Sequence, residues 1–367
     1  MSASVEHRQH GLSLVELLVA MGVSLILLAG VLQIFVGNRQ TANTQDALSQ
    51  IQESIRFASH FLSRDVREAG YRGCSVHGPL DSTLKHQDSI TWDLRTGLEG
   101  YDNVGATLPP RLANAGIAPL PGSDVIVVRA ADGGAVPVAG NNNGSQLFAV
   151  NTGVSAGGCA PGKARVSGLC EGDVVMVSNC RQARVFQITS LAGNQNGGDI
   201  NIVHSNDQTL TPGNAFSSWG GAANPNPAFG ADSEIVPIST RIYYLATGAD
   251  GEPALFRRAG NAAAEELVSG IEDMQILYGV DSSGNAHVDD YTTADGVSGA
   301  AVGSNQWHQD WQRVLTARFS LLLRAPRDGV VESPQLYAYN GATGLTAPDH
   351  RLRQVSEFTV TLRNRAR

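Results

Sequence analysis

The sequence predicts an α+β fold: one long N-terminal helix, membrane-spanning in front and amphipathic behind, packed on a mainly antiparallel β-sheet globular domain. Three observations predict it. Leu12 to Val36 form a 25-residue apolar run without Arg or Lys. Apolar residues then recur at steps of three and four from Leu48 to Val66, the spacing of one helical face. Beyond Gly70 the pattern changes to short apolar runs punctuated by Gly, Pro and Asn, the signature of strands and turns.

The helix comes first. The only strongly polar members of the apolar run are Ser13, Glu16, Ser24 and Gln33. At ~1.5 Å per residue such a helix reaches roughly 37 Å, enough for a hydrocarbon core of about 30 Å. A short polar leader, Met1 to Gly11, precedes it. A secretory signal would be shorter and followed by a small-x-small cleavage site. Here the helical pattern continues instead. Leu48, Ile51, Ile55, Ala58, Leu62 and Val66 share one face, while Arg39, Gln45, Gln52, Arg56, Ser59 and Ser63 take the others. The first stop signal is Gly70, which predicts a helix of nearly 60 residues. The expected organisation is a leader over residues 1–11, a transmembrane half over 12–36, an amphipathic half over 37–69 and a β-rich head over 70–367.

Glu16 interrupts the apolar run, and an ionised carboxylate there costs about 2.5 to 3.5 kcal/mol near a membrane centre. Two readings stand. Glu16 lies four residues after Leu12 and can snorkel to the interface, or it pairs with a cation in the layer. The nearest candidate cation is an α-amine made by cleavage after Gly11. Gly11-Leu12-Ser13-Leu14-Val15-Glu16-Leu17 resembles the class III signal of type IV pilins and type II secretion pseudopilins. The resemblance implies that a prepilin peptidase cuts between Gly11 and Leu12, that Leu12 is then N-methylated, and that Glu16 neutralises the terminal amine of a neighbouring subunit. Leu12 stands where major pilins carry Phe. Charge alone leaves the orientation open, since Arg8 on one side faces Arg39 on the other.

In the body of the chain, 124–129, 173–177, 184–189, 200–204, 241–245, 274–278, 317–323 and 358–362 read as strands. Ala317, Phe319, Leu321 and Leu323 alternate with Arg318 and Ser320, and Phe358, Val360 and Leu362 alternate with Thr359 and Thr361. Such alternation gives a sheet one dry face on which the rear helix can lie. The stretches 64–74 (RDVREAGYRGC), 172–180 (GDVVMVSNC), 311–323 and 351–365 resemble the PilW type of minor pilin, which is itself similar to the J pseudopilin of type II secretion. The resemblance implies a subunit that joins a helical bundle at the tip of a type IV pilus and primes or supports assembly. Its implied partners are other minor pilins, the major pilin, a tip adhesin and the prepilin peptidase. It also implies a single pass through the inner membrane, N-terminus cytoplasmic and head periplasmic, before transfer to the fibre tip.

Composition narrows the alternatives. A net charge of −8 disfavours nucleic acid as a partner, because phosphate binding needs cationic surface. The C-terminal arginines Arg351, Arg353, Arg363, Arg365 and Arg367 alternate with apolar residues and read as the wet face of a strand plus a solvated tail. The 41 glycines, many in Gly/Asn runs, predict long polar loops. Cys74, Cys159, Cys170 and Cys180 lack C-x-x-C spacing, so disulfides in an oxidising compartment are expected rather than zinc. An extended strand over 171–179 would hold Cys170 and Cys180 roughly 30 Å apart, beyond the ~7 Å limit of a disulfide. That favours Cys159 with Cys170 and Cys74 with Cys180. The loop carrying Asp281, Asn285 and Asp289 is a weak calcium candidate: it lacks the Asp and Gly placement of an EF-hand, and a plain turn is favoured. No cofactor is expected, and no G-x-S-x-G or H-E-x-x-H supports catalysis. Two other functions stay open, a type II secretion pseudopilin and a membrane-tethered periplasmic binding protein or enzyme.

Overall fold

A computed structural model describes residues 13–365 apart from 74–78, 141–142, 156–157, 160, 162, 164, 193–197, 207–208 and 220–227. Its first element is an unbroken helix, Leu14–Glu68, of 55 residues. No proline falls within that stretch, so nothing removes a backbone donor or clashes with a preceding turn. Ser13 caps the N-terminus, with its Oγ accepting the Val15 N–H at 3.2 Å. At the other end the chain leaves the helix through Ala69 and Gly70, the latter at φ +72. Only glycine takes that left-handed conformation without cost, which is why the helix stops there.

The rear of the helix buries Ala47, Ile51, Ala58, Leu62, Asp65 and Val66. Each large apolar side chain on that stripe contributes roughly 1.5–3 kcal/mol on burial. Leu48 departs from expectation. It is 36% exposed, and Ala47 takes its place against the head.

Two sheets receive this stripe. One is four-stranded and antiparallel, ordered Asp290–Thr292, Ile271–Val280, Val314–Arg324, Arg353–Thr361. Ala317, Phe319, Leu321 and Leu323 point inward and are buried, as are Val360 on the next strand and Leu362 just past its end, whereas Phe358 is only half-buried. The larger sheet is organised by one 14-residue strand, Glu234–Thr247. It pairs with Val174–Ser178 and Val136–Gly140 near its start, Val125–Ala131 in its middle and Pro253–Ala259 at its end, all antiparallel. Leu62, Val66, Ile126, Leu255, Phe319 and Val360 belong to one continuous core, so helix and both sheets share a single dry interior. A second core, around Phe186, Trp219 and Phe229, holds together the lobe built on Val174–Ser178 and Ala183–Gln187.

The helix end is stitched to the sheet. Gly70 N–H donates to the Arg129 carbonyl at 2.9 Å, and Arg129 N–H donates to that of Gly97 at 2.8 Å. A Cβ on Gly97 would stand 2.2 Å from the Gly70 Cα, so the close approach requires glycine there.

Candidate assembly surface and its anchoring

The front of the helix packs against no other described part of the chain. Every residue from Ser13 to Arg39 is exposed, among them Leu14, Leu17, Leu25, Ile26, Val31 and Phe35, each at least 52% exposed. Contact with the head begins at Gln40, whose Nε2 donates to the Val330 carbonyl at 2.7 Å. About 26 residues therefore project as a bare apolar rod roughly 39 Å long. In water so large a contiguous apolar surface is not tolerated; lipid or other apolar helices satisfy it. Ser24 donates its hydroxyl to the Ala20 carbonyl at 2.8 Å, so that hydroxyl is satisfied within the rod.

Glu16 sits in the first turn of this rod. Its carboxylate accepts the Ser13 N–H at 3.3 Å, completing a capping box with the Ser13 hydroxyl. One oxygen thus serves the helix end, and among the described residues no cation pairs with the exposed carboxylate. Gly11 and Leu12, where cleavage is expected, lie outside the described residues.

The rear half is locked by an ionic contact that the hydrophobic pattern did not reveal. Asp65 is 2% exposed. Its carboxylate accepts the Tyr243 hydroxyl at 2.5 Å and pairs with Arg241 at 3.0 Å, with Arg257 standing 4.0 Å away. Arg241 is held from its far side by Asp132 at 2.6 Å, and Arg257 by Glu265 at 2.5 Å. Burial, and then the Asp65 charge, push the Tyr243 phenol well above its usual range, so it stays protonated and donates. Asp65 lies three residues after Leu62 and one before Val66. A carboxylate on the apolar stripe was the one available signal.

The end of the chain closes over the end of the helix. Arg363 N–H donates to the Arg67 carbonyl at 2.9 Å, and Asn364 Nδ2 to those of Glu68 and Ala69 at 3.1 and 3.3 Å. These acceptors are the ones that a helix C-terminus leaves unmet. Arg351, Arg353 and Arg365 are accordingly not a wet face, whereas Arg363 is exposed and Arg367 lies outside the described residues. Arg353 is buried and joined to Glu272 and Asp349 at 2.7 and 2.5 Å. Arg351 reaches Glu252 at 2.8 Å, and Arg365 turns inward to the carbonyls of Trp311 and Val314. Alternation marked them as outward-facing, but carboxylates from neighbouring elements meet Arg351 and Arg353, and backbone carbonyls meet Arg365.

The remaining expected sites separate. Cys159 and Cys170 are joined with Cα atoms 5.5 Å apart. Cys180 is also disulfide-bonded, while Cys74 lies outside the described residues. The strand near them is shorter than expected, Val174–Ser178, because Cys170 turns to donate its N–H to the Asp173 carboxylate at 2.8 Å. In the 281–290 loop, Asp281 accepts the N–H groups of Gly284, Asn285 and Ala286, and Asp289 those of Ser282 and Ser283. Asn285 accepts from His287. These oxygens close turns rather than converge on a common point. Among the described residues, no group of three or more His, Cys, Asp or Glu could hold a metal.

One buried carboxylate makes stability depend on pH. Asp124 is 2% exposed and accepts the N–H groups of Asn103 and Ile276 at 2.8 and 2.7 Å. Burial pushes its pKa up to about 7 against the pull of those two bonds, and Asp102 and Asp273 push the same way. Tyr278 and Tyr339 also feel its charge. The folded chain keeps a proton that the unfolded chain loses near pH 3.8, so the stability that proton supplies is whole below that pH and lost as pH rises towards about 7. His204 acts in the opposite sense, since burial lowers its pKa from 6.5 to about 4. The informative measurement is therefore a difference. Urea unfolding of wild type and Asp124→Asn should show the wild type losing ground by up to about 1.4 kcal/mol per pH unit between about pH 4 and 7. A difference that stays flat over that window contradicts the assignment.

A long helix whose rear is sealed into a β-rich head and whose apolar front is bare is an architecture like that of pilins. Comparison with known families gives the type. The family described as Type IV Pilus-assembly protein W matches residues 242–364, and the Prokaryotic N-terminal methylation motif matches residues 7–32. Residues 242–364 are thus similar to the PilW family and the front of the helix to the N-terminal methylation motif of pilin-like proteins. The two matches cover the front of the helix and most of the sheet structure that clamps its rear. Among solved structures, the type IV-like pilin TTHA1219 from Thermus thermophilus is 18% identical, with a TM-score of 0.22 over 35% of this chain and 67% of that one. No curated protein matches the chain.

Proposed function

We propose that this chain is a minor pilin whose helix joins a bundle of related helices at the tip of a type IV pilus and primes or supports assembly of the fibre. The observation that carries the reading is the division of one continuous helix into a bare apolar front and a sealed rear. A tether for a soluble enzyme needs only the front. Fixing the rear so firmly sets the rod's direction and rotation relative to the head, which helical packing between subunits requires and tethering does not.

In this reading a prepilin peptidase removes residues 1–11, Leu12 becomes the methylated N-terminus, and Glu16 faces the amine of a neighbouring subunit. Before assembly the rod spans the inner membrane, its head in the periplasm, where a Cys74–Cys180 bond would tie the segment after the helix to the sheet. Its partners are other minor pilins and the major pilin. Mass spectrometry of the membrane-derived protein should find a methylated Leu12 at its N-terminus. An intact Met1, or a first residue well beyond Val36, contradicts the proposal. In a deletion strain, surface pili should fall while protein export persists; the reverse pattern identifies a secretion pseudopilin instead.

A further inference from the structure

The end of the head remote from the bare rod carries a cavity of ≈ 370 Å³, lined by Arg72, Gln312, Arg313, Asn364 and Arg365 together with the 281–286 turn. It lies beside the C-terminus of the long helix, about 48 Å along the axis from Val36. Three arginines line it, two of them, Arg72 and Arg365, close enough to repel, and carboxylate partners for all three are missing among the described residues. Arg72 donates to the Arg95 carbonyl at 2.8 Å, and Arg365 to the carbonyls of Trp311 and Val314. Among the described residues none of the three arginines forms an ion pair, whereas Arg351 and Arg353 in the same C-terminal segment each do. Asp281 lines the opposite wall, but its carboxylate is taken up by three N–H groups of its own turn.

A guanidinium withdrawn from water without a counter-charge is costly, and arginine does not relieve that cost by releasing its proton. Burial lowers the pKa of both Arg72 and Arg365, and Arg72 adds to the effect on Arg365. Two cations that repel across one cavity are stabilised most directly by an anion between them, and each keeps N–H donors to offer it. The planar fork of arginine suits the paired oxygens of carboxylate and phosphate. We propose that this cavity is a binding site for a small oxyanion of the carboxylate or phosphate class, held by Arg72, Arg313 and Arg365. The site rests on the geometry of the head alone and stands whether or not the chain works at a pilus tip.

Thermal unfolding of the full chain in detergent tests it, with sodium phosphate and sodium succinate as separate probes and sodium chloride holding the ionic strength constant. At least one probe should raise Tm saturably by roughly 2–4 °C, and which probe acts separates free phosphate from carboxylate ligands. Arg72→Gln and Arg313→Gln should each lose at least half of that rise. If Arg72→Gln no longer melts cooperatively, Arg313→Gln decides alone, since Arg313 is exposed and makes no ion pair. No saturable rise with either anion, or a rise that survives in the folded variants, overturns the proposal.

Discussion

Replacing Glu16 with alanine should leave the protein in the membrane and remove it from the fibre. Without the carboxylate the rod is easier to insert, by at most about 2.5 to 3.5 kcal/mol, the value for a helix centre. The loss of the capping box with Ser13 costs the helix only ~1 kcal/mol, which an apolar helix in lipid withstands. Assembly pays the larger penalty. Removing one partner of a desolvated charge pair costs about 3–5 kcal/mol, so incorporation into sheared pili should fall on the order of 100-fold or more. Immunoblots of membrane and sheared-fibre fractions measure both quantities. Equal incorporation of Glu16→Ala and wild type would show that the helix serves only as a tether.

The second large effect is expected at Asp65. Asp65→Ala strips the carboxylate from Arg241 and Arg257 and the acceptor from the Tyr243 hydroxyl, in a place that water does not reach. A loss of about 3–5 kcal/mol in urea unfolding is expected. Asp65→Asn keeps an acceptor for Tyr243 and should lose less, about 1–3 kcal/mol. The double variant Asp65→Ala with Tyr243→Phe should cost less than the two single losses added together, because the side chains act as one unit. A loss below about 0.5 kcal/mol for Asp65→Ala would mean that the apolar stripe alone holds the rear helix to the head. The same variant should also weaken incorporation into fibres, since a head free to swivel no longer presents a fixed surface to its neighbours.

The helix was legible because two local signals agree along its length: an apolar run without proline, then a three-and-four periodicity ending at Gly70. Strand Val314–Arg324 was legible for a similar reason, its buried and less buried residues alternating from Ala317 to Leu321, after which Leu322 is buried as well. Strand Glu234–Thr247 was only glimpsed, as 241–245. Pro237 and the polar Ser239 and Thr240 argue against a strand locally, and the partners that override them, near Val175 and Ala131, are distant in sequence. Leu48 was misplaced because a helical face read from spacing is only as sharp as one residue's width. The Asp65 clamp was hidden for a deeper reason. Arg241, Tyr243 and Arg257 are 176 to 192 residues away, and only the folded sheet brings them to the helix. The C-terminal arginines show the same limit, since a strand pattern tells which way a side chain points and not what waits on that side.

The claim at the centre of this account is that the bare front of the helix packs against helices of other subunits. Site-specific photo-crosslinking from Leu25 or Val31, both exposed in the isolated chain, tests it in sheared pili. The account predicts adducts with a second pilin from both positions, lost when Glu16 is replaced by alanine. Adducts with lipid alone, unchanged by that replacement, would contradict it.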